Sequence, residues 1–265
     1  MTNIQEIAHP EGHDYTSGSP HLKHAHLRAG INASLSQEVE RIRARDNRCR
    51  VLEVGAGHGT FTTVLRQAGA SVTVTEMSEP SAAYLRRSFF EDRGVSVVSD
   101  PDGRWVFDTG DRFDLVVAIS VLHHIPDYLS AVARYVDVTE PGGTFMSWQD
   151  PAWYPRLSRR TLLASRSAYL AWRLGQGNFS RGFATRIRRL RGVLDETQVS
   201  DMSEYHVVRK GVDEKALESL LRGRYAETII TSYWSTQAGP LQRIGDRLGL
   251  GGTFSVVARG RFHST

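Results

Sequence analysis

The sequence predicts an α/β fold: one domain built on a parallel sheet and carrying a substantial insertion, with 265 residues enough to bury a sizeable core. Three observations carry this reading. The apolar run Val51 to Val54 ends in Gly-x-Gly-x-Gly (Gly55, Gly57, Gly59) and opens at once into the amphipathic stretch Phe61 to Gln67, the pattern of strand, tight turn and helix. Ser71 to Thr75 alternates β-branched residues up to Glu76, as a second strand would. Arg112-Phe113-Asp114-Leu115-Val116-Val117-Ala118 reads as a strand buried on both faces.

Taken in order, residues 1 to about 18 show no periodicity. The run His21 to Arg28 is helical in pattern, and a second helix is expected from about Ser34, with Leu35, Val39 and Ile42 at helical spacing. In the glycine turn, the missing Cβ atoms let a ligand lie against the main chain, and the first N–H groups of the helix are left to donate hydrogen bonds. Such a turn suits a nucleoside-bearing cofactor. Glu76, at a strand end about 20 residues further on, is placed to accept from both ribose hydroxyls. Met77 beside it offers an apolar face to an adenine ring or to the core. Ser81 to Glu91 follows as a helix, Gly94 to Ser99 as a strand ending at Asp100, and Arg104 to Asp108 as a short extended piece. The strand at 112–118 delivers Ile119-Ser120-Val121-Leu122-His123-His124-Ile125-Pro126-Asp127, which should border the ligand of an open α/β sheet. A helix at Leu129 to Asp137, a turn at Glu140-Pro141-Gly142-Gly143 and a fifth strand at Thr144 to Trp148 come next. The last third offers a helix at Asp213 to Arg222, a strand at Thr228 to Trp234, a short helix at Leu241 to Leu248 and a final strand at Thr253 to Arg259.

The spacing of the turn departs from the dinucleotide fingerprint G-x-G-x-x-G: the third glycine comes one residue early, at Gly59, and an acid, Glu53, stands two residues before the first. With Glu76 and the string Phe113-Asp114-Leu115-Val116 through Leu122-His123-His124-Ile125, residues 50 to 150 resemble the class I S-adenosylmethionine-dependent methyltransferases, in their small-molecule, natural-product type. The resemblance implies a Rossmann-like α/β fold with a seven-stranded mixed sheet, an N-terminal helical cap (1–48), a cofactor-binding core (49–150), a helical insertion after strand 5 (151–202) and a C-terminal part with the last strands (203–265). It implies S-adenosylmethionine as cofactor, held by Glu53, Gly55, Gly57, Gly59, Glu76, Met77, Asp100 and Ser120, with Tyr15 reaching in from the cap. Asp100 would take the adenine amino group, although Pro101, Asp102 and Gly103 after it equally suit a turn aspartate. His21 and Arg28 share the cap with Tyr15, where relatives of this kind bring an aromatic or basic residue to the methionine end of the cofactor.

A sulfonium methyl is already activated, so transfer is a direct displacement in which alignment alone is worth up to about 7 to 11 kcal/mol. A general base is needed only when the acceptor arrives protonated, and a histidine is then the usual choice. His123 and His124 are the catalytic candidates, of which one should face the pocket and the other the body of the protein; His206 is a third. Gln149, Asp150, Trp153 and Tyr154 follow the fifth strand and are placed to line the acceptor site. Several subclasses are excluded by absence. No Asn/Asp-Pro-Pro-aromatic string follows the fourth strand, and the single cysteine, Cys49, precedes the first strand, on the wrong end of the sheet for a nucleophile. Neither the paired glutamates of arginine methylation nor the spaced carboxylates of the magnesium-dependent type are present, so no metal is expected.

Composition is ordinary for a globular chain, with 40% hydrophobic and 23% charged residues. No apolar run approaches the roughly 20 residues that span a bilayer, and Met1 to His13 lacks the apolar core of a signal peptide; the expected location is the cytoplasm. The net charge of +4 hides an asymmetry: ten arginines and no acid lie between Pro151 and Leu194, leaving 23 basic residues against 29 acidic ones elsewhere. This insertion reads as a lid over a small-molecule acceptor, some arginines binding an anionic group on it. A solvated basic face, a membrane surface and an RNA surface are the rival readings; the aromatics are not spaced as a base-stacking platform, which argues against nucleic acid. The expected function is methyl transfer to an oxygen or nitrogen of a small molecule, a bacterial secondary metabolite or sugar as in antibiotic biosynthesis. The alternatives are a lipid or RNA acceptor, or a cofactor-binding protein without transfer.

Overall fold

A computed structural model of the chain describes residues 19–175 and 210–263; Tyr15, His206 and residues 176–202 of the expected insertion lie outside the described residues. Helix α1 (Pro20–Lys23) and helix α2 (Ala25–Asp46) are divided at His24, not near Ser34 as the periodicity suggested. The extended backbone of His24 (φ −91°, ψ 113°) ends one helix and caps the next. Strand β1 (Arg50–Val54), helix α3 (Thr60–Gln67), strand β2 (Ser71–Glu76), helix α4 (Glu79–Ser88) and strand β3 (Val95–Ser99) follow the expected alternation. Trp105–Asp108, expected to be extended, is the short helix α5, because the Asp100 carboxylate accepts the N–H groups of Arg104 (2.8 Å) and Trp105 (3.0 Å) and so satisfies its first donors.

Strand β4 (Phe113–Ile119) leads to helix α6 (Tyr128–Asp137) and strand β5 (Thr139–Pro151). The turn expected at Glu140 to Gly143 is an irregularity inside β5: Phe113 pairs with Thr139, but Leu115 already pairs with Thr144. Helix α7 (Arg159–Gly175), helix α8 (Glu214–Arg222), strand β6 (Tyr225–Tyr233), helix α9 (Gly239–Arg247) and strand β7 (Thr253–Arg261) complete the described elements.

The sheet has seven strands in the order β3-β2-β1-β4-β5-β7-β6, with β7 antiparallel to both its neighbours and the other pairs parallel. This is the Rossmann-like class I methyltransferase arrangement that the resemblance implied. Period-two alternation divides the core between the two faces. Leu52, Val116, Ala118 and Phe145 pack with Val132 and Val136 of α6 and Leu217 and Leu221 of α8. Val51, Leu115, Val117 and Met146 pack on the other face with Ile31, Leu35, Val39 and Ile42 of α2 and with Phe61 and Leu65 of α3. The chain leaves β1 toward β2 on one side and places β4 on the other, so the order reverses between β1 and β4. Ligands of open α/β sheets bind outside the carboxyl ends of the strands at such a reversal. Among the described residues no helix is long and apolar enough to cross a membrane.

Candidate active site

The turn after β1 is built as its glycines require. Gly55, Gly57 and Gly59 have φ of 64°, 57° and 77°, a region costly for side chains with a Cβ. Gly55 donates its N–H to the Thr75 carbonyl at 2.8 Å, and a Cβ on it would come within 3.0 Å of the Val121 side chain. The turn therefore lies directly against the segment that leaves β4. Gly59 caps α3, and a Cβ there would meet the Phe89 ring at 2.6 Å.

Two carboxylates flank the turn. Glu53 is buried beneath it and accepts from the Thr62 hydroxyl at 2.6 Å. Burial pushes its carboxyl up to about 7, with the nearby Glu76 charge acting in the same direction. Glu76, at the end of β2, accepts the Gly57 N–H at 3.0 Å on one oxygen and the Ser78 N–H at 3.2 Å on the other. Burial raises its carboxyl too. An ionised carboxylate offers about four acceptor sites, so capacity remains for the ribose. Met77 is half-buried beside it. Asp100 is buried at the end of β3, and its Oδ1 atom holds the N–H groups that start α5.

From the cap, His21 of α1 stacks on Phe61 at the start of α3, ring centroids 5.9 Å apart. Burial lowers this imidazole to about 4, so it is neutral near pH 7. The next residues of the cap reach the end of β6: Lys23 Nζ donates to the Gln237 carbonyl (2.9 Å), and the His24 ring meets the Thr236 carbonyl (2.7 Å).

The segment after β4 begins with Ser120 at φ 61°, its N–H donated to the Trp148 carbonyl at 2.7 Å. A non-glycine residue in this region is uncommon and is found disproportionately at functional sites. A single turn of 3-10 helix, Leu122–His124, then carries both candidate histidines. Their rings lie 4.0 Å apart. His123 is buried and His124 half-buried. His123 turns to Asp150: Nδ1 is 2.8 Å from Asp150 Oδ1, which also accepts the His123 backbone N–H at 3.1 Å. Asp150 Oδ2 accepts from the Ser147 hydroxyl at 2.6 Å. Burial raises the Asp150 carboxyl against these hydrogen bonds.

The sequence marked Asp150 as an acceptor-site residue but not as the partner of His123, and it did not mark Ser147. Gln149, between them, adopts φ 69°. Its N–H donates to the Tyr233 hydroxyl at 2.9 Å, and its side-chain amide reaches Ser235 Oγ at 2.6 Å. Trp153 and Tyr154 belong to the neck of the insertion. Trp153 N–H donates to Glu214 at 3.0 Å and Tyr154 N–H to the Lys210 carbonyl at 2.7 Å, while the Arg156 guanidinium pairs with Asp213 and Glu214. Arg159, Arg160 and Arg166 of α7 are exposed. Cys49 is buried and its thiol pushed up to about 12 by burial, which leaves it unreactive. Among the described residues no group of three or more histidines, cysteines or acids is placed to hold a metal.

Comparison with known proteins agrees with this geometry. A family model described as a methyltransferase domain matches residues 25–189. A ubiquinone biosynthesis O-methyltransferase of Aromatoleum aromaticum is 32% identical over 95 residues, 36% of this chain and 41% of the relative. The protein of the same name in Bordetella avium is 33% identical over 96 residues, 36% of this chain and 39% of the relative. The chain thus matches about two fifths of the length of these curated relatives. Among solved structures, the N-methyltransferase NodS of Bradyrhizobium japonicum, in complex with S-adenosyl-L-homocysteine, superposes with a TM-score of 0.53 at 14% identity, covering 100% of both chains. At that identity the likeness is one of fold.

Proposed function

The chain belongs to the methyltransferase-domain family, and from that premise we propose that it transfers the methyl group of S-adenosylmethionine to an oxygen of a small molecule. The observation that carries the reading is the buried His123–Asp150 pair at the carboxyl edge of the sheet, one strand away from the glycine turn. Oδ1 of Asp150 accepts a backbone N–H and Oδ2 accepts a hydroxyl. With Asp150 ionised, above the value of about 7 to which burial raises it, both oxygens act as acceptors and the bond to His123 takes its proton from Nδ1. In that tautomer Nε2 is the ring nitrogen that carries the lone pair and can take a proton. A hydroxyl acceptor needs such a base, which contributes about 10²- to 10⁴-fold. The names of the two curated relatives support oxygen as the receiving atom.

The cofactor fits the other half of the cleft. Gly55, Gly57 and Gly59 leave the main chain open to close approach, Glu76 has acceptor capacity for the ribose, and Glu53, Met77, Asp100 and Ser120 border the same edge. When bound, S-adenosylmethionine supplies a methyl group on a positively charged sulfur. The protein's share is to hold the acceptor in line, exclude water and take the hydroxyl proton at His123 Nε2. His124 lies beside His123 with its ring tilted by 43°, centroids 4.0 Å apart, and borders the same site. Residues 151–202 serve as the acceptor lid, pinned at the neck by Arg156 on Asp213 and Glu214. A hydroxylated secondary metabolite or sugar is the acceptor class proposed.

The reading is tested by incubating the protein with methyl-labelled S-adenosylmethionine and a size-fractionated extract of its host cell. Label is expected in the low-molecular-weight fraction, in a product whose new methyl group is bonded to oxygen. Label in RNA or lipid, or on nitrogen, would overturn the choice of acceptor.

A further inference from the structure

We infer that Gln149 and Tyr233 are positioning residues: the left-handed bulge at Gln149, locked by the Tyr233 hydroxyl, is what brings Asp150 beneath His123. The inference deepens the reading above and rests on His123 as the proton acceptor. It follows from parity along β5. Phe145 faces the core formed with α6 and α8, and Met146 faces the core formed with α2. Ser147 is paired with Val256, a residue of the first face, while Trp148 packs on the second. Strict alternation would next put Gln149 on the Ser147 face and turn Asp150 to the Trp148 face, away from His123.

The register shows why this does not happen. Trp148 lies opposite Ser255 and Asp150 opposite Phe254, so two residues of β5 face one of β7 and Gln149 is the extra one. Bulges are enriched beside active sites because they re-aim a side chain. Here the bulge puts Asp150 opposite Phe254, back on the Ser147 face, where its two oxygens meet Ser147 and His123.

A glutamine at φ 69° is held against its own preference. Three hydrogen bonds from the end of β6 hold it. Gln149 N–H donates to the Tyr233 hydroxyl (2.9 Å), that hydroxyl donates to Gln149 Oε1 (3.2 Å), and Gln149 Nε2 donates to Ser235 Oγ (2.6 Å). The edge strand β6 and the residues just after it therefore set the orientation of a histidine at the end of β4.

The tautomer measurement reads His123 directly and needs no acceptor. Protein labelled with ¹⁵N-histidine is compared by NMR in the wild type, Gln149→Gly, Gln149→Val, Tyr233→Phe and Asp150→Asn, the His123 signals being assigned by their loss in His123→Asn. Wild type and Gln149→Gly, in which glycine accepts the positive φ, should hold the proton on Nδ1. Gln149→Val, whose β-branched residue resists that φ, and Tyr233→Phe should shift to the mixed tautomer seen in Asp150→Asn. The His21 signals, from the opposite side of the cleft, should stay unchanged throughout and report that the fold is intact. Should Gln149→Val not fold, Tyr233→Phe carries the test alone. A wild-type His123 tautomer in Tyr233→Phe, and in Gln149→Val where it folds, would overturn the inference. Methyl transfer surviving in His123→Asn would instead remove the base reading, while shifted tautomers in the same variants would still support the positioning role.

Discussion

Glu53 is a carboxyl held where its charge is unwelcome, and that makes it a pH-dependent element of stability. Its folded-state value, about 7, lies above the ordinary 4.5 because of burial and the neighbouring Glu76. Below about pH 4.5 both folded and unfolded chains carry the proton; between about 4.5 and 7 only the folded one does, so stability falls as pH rises through this window. The loss approaches about 3 kcal/mol above it. Glu53→Gln keeps an oxygen for Thr62 and has no charge to bury. Urea melts at about pH 5 and pH 8 should show a smaller decline for the variant than for wild type; equal declines would refute the assignment. Asp150 makes a catalytic prediction at the same scale. Asp150→Asn still accepts from the His123 backbone but no longer secures the Nδ1 proton, so methyl transfer should drop about 10²- to 10⁴-fold while S-adenosylmethionine affinity is kept. Equal loss of both would make Asp150 a structural residue only.

At the scale of elements, helix α2 is fastened to the antiparallel corner of the sheet by one buried acid. Glu38 accepts from Arg41 (2.6 Å), the Thr144 hydroxyl (2.6 Å) and Arg259 of β7 (2.9 Å). Burial disfavours its charge, yet these hydrogen bonds hold its carboxyl below the ordinary range. Glu38→Ala would leave Arg41 without its carboxylate and Arg259 with Glu227 alone, and should cost about 3 kcal/mol, toward the lower end for a broken buried pair because both guanidiniums stay partly hydrated. Thermal melts would measure it, and a change under about 0.5 kcal/mol would show the network to be incidental.

Most elements were legible because they rest on local chemistry. The glycine turn, the β-branched run into Glu76 and the doubly buried β4 each announce themselves within a few residues. What escaped depends on distant partners. The break at His24 is fixed by a cap reaching Thr236, and the bulge at Gln149 by a tyrosine 84 residues further on. With strict alternation assumed, Asp150 falls on the wrong face, which is why its pairing with His123 could not be read from spacing. The α5 helix escapes for a related reason: Asp100 suits a ligand residue or a turn residue by its sequence, and its carboxylate is what starts the helix.

For the whole molecule, the order reversal between β1 and β4 brings the turn, the end of β2 and the segment after β4 to one edge, with the cap bridging from Phe61 to the end of β6. On the proposed function, the nucleoside end lies at Glu76 and the reacting end at His123, so the two functions should separate by mutation. The measurement that tests this most directly is calorimetric titration of S-adenosylmethionine into wild type, Glu76→Ala and His123→Asn. Losing a charged acceptor for the ribose should weaken binding about 100-fold or more in Glu76→Ala, whereas His123→Asn should bind like wild type. Unchanged affinity in a folded Glu76→Ala protein would contradict the account.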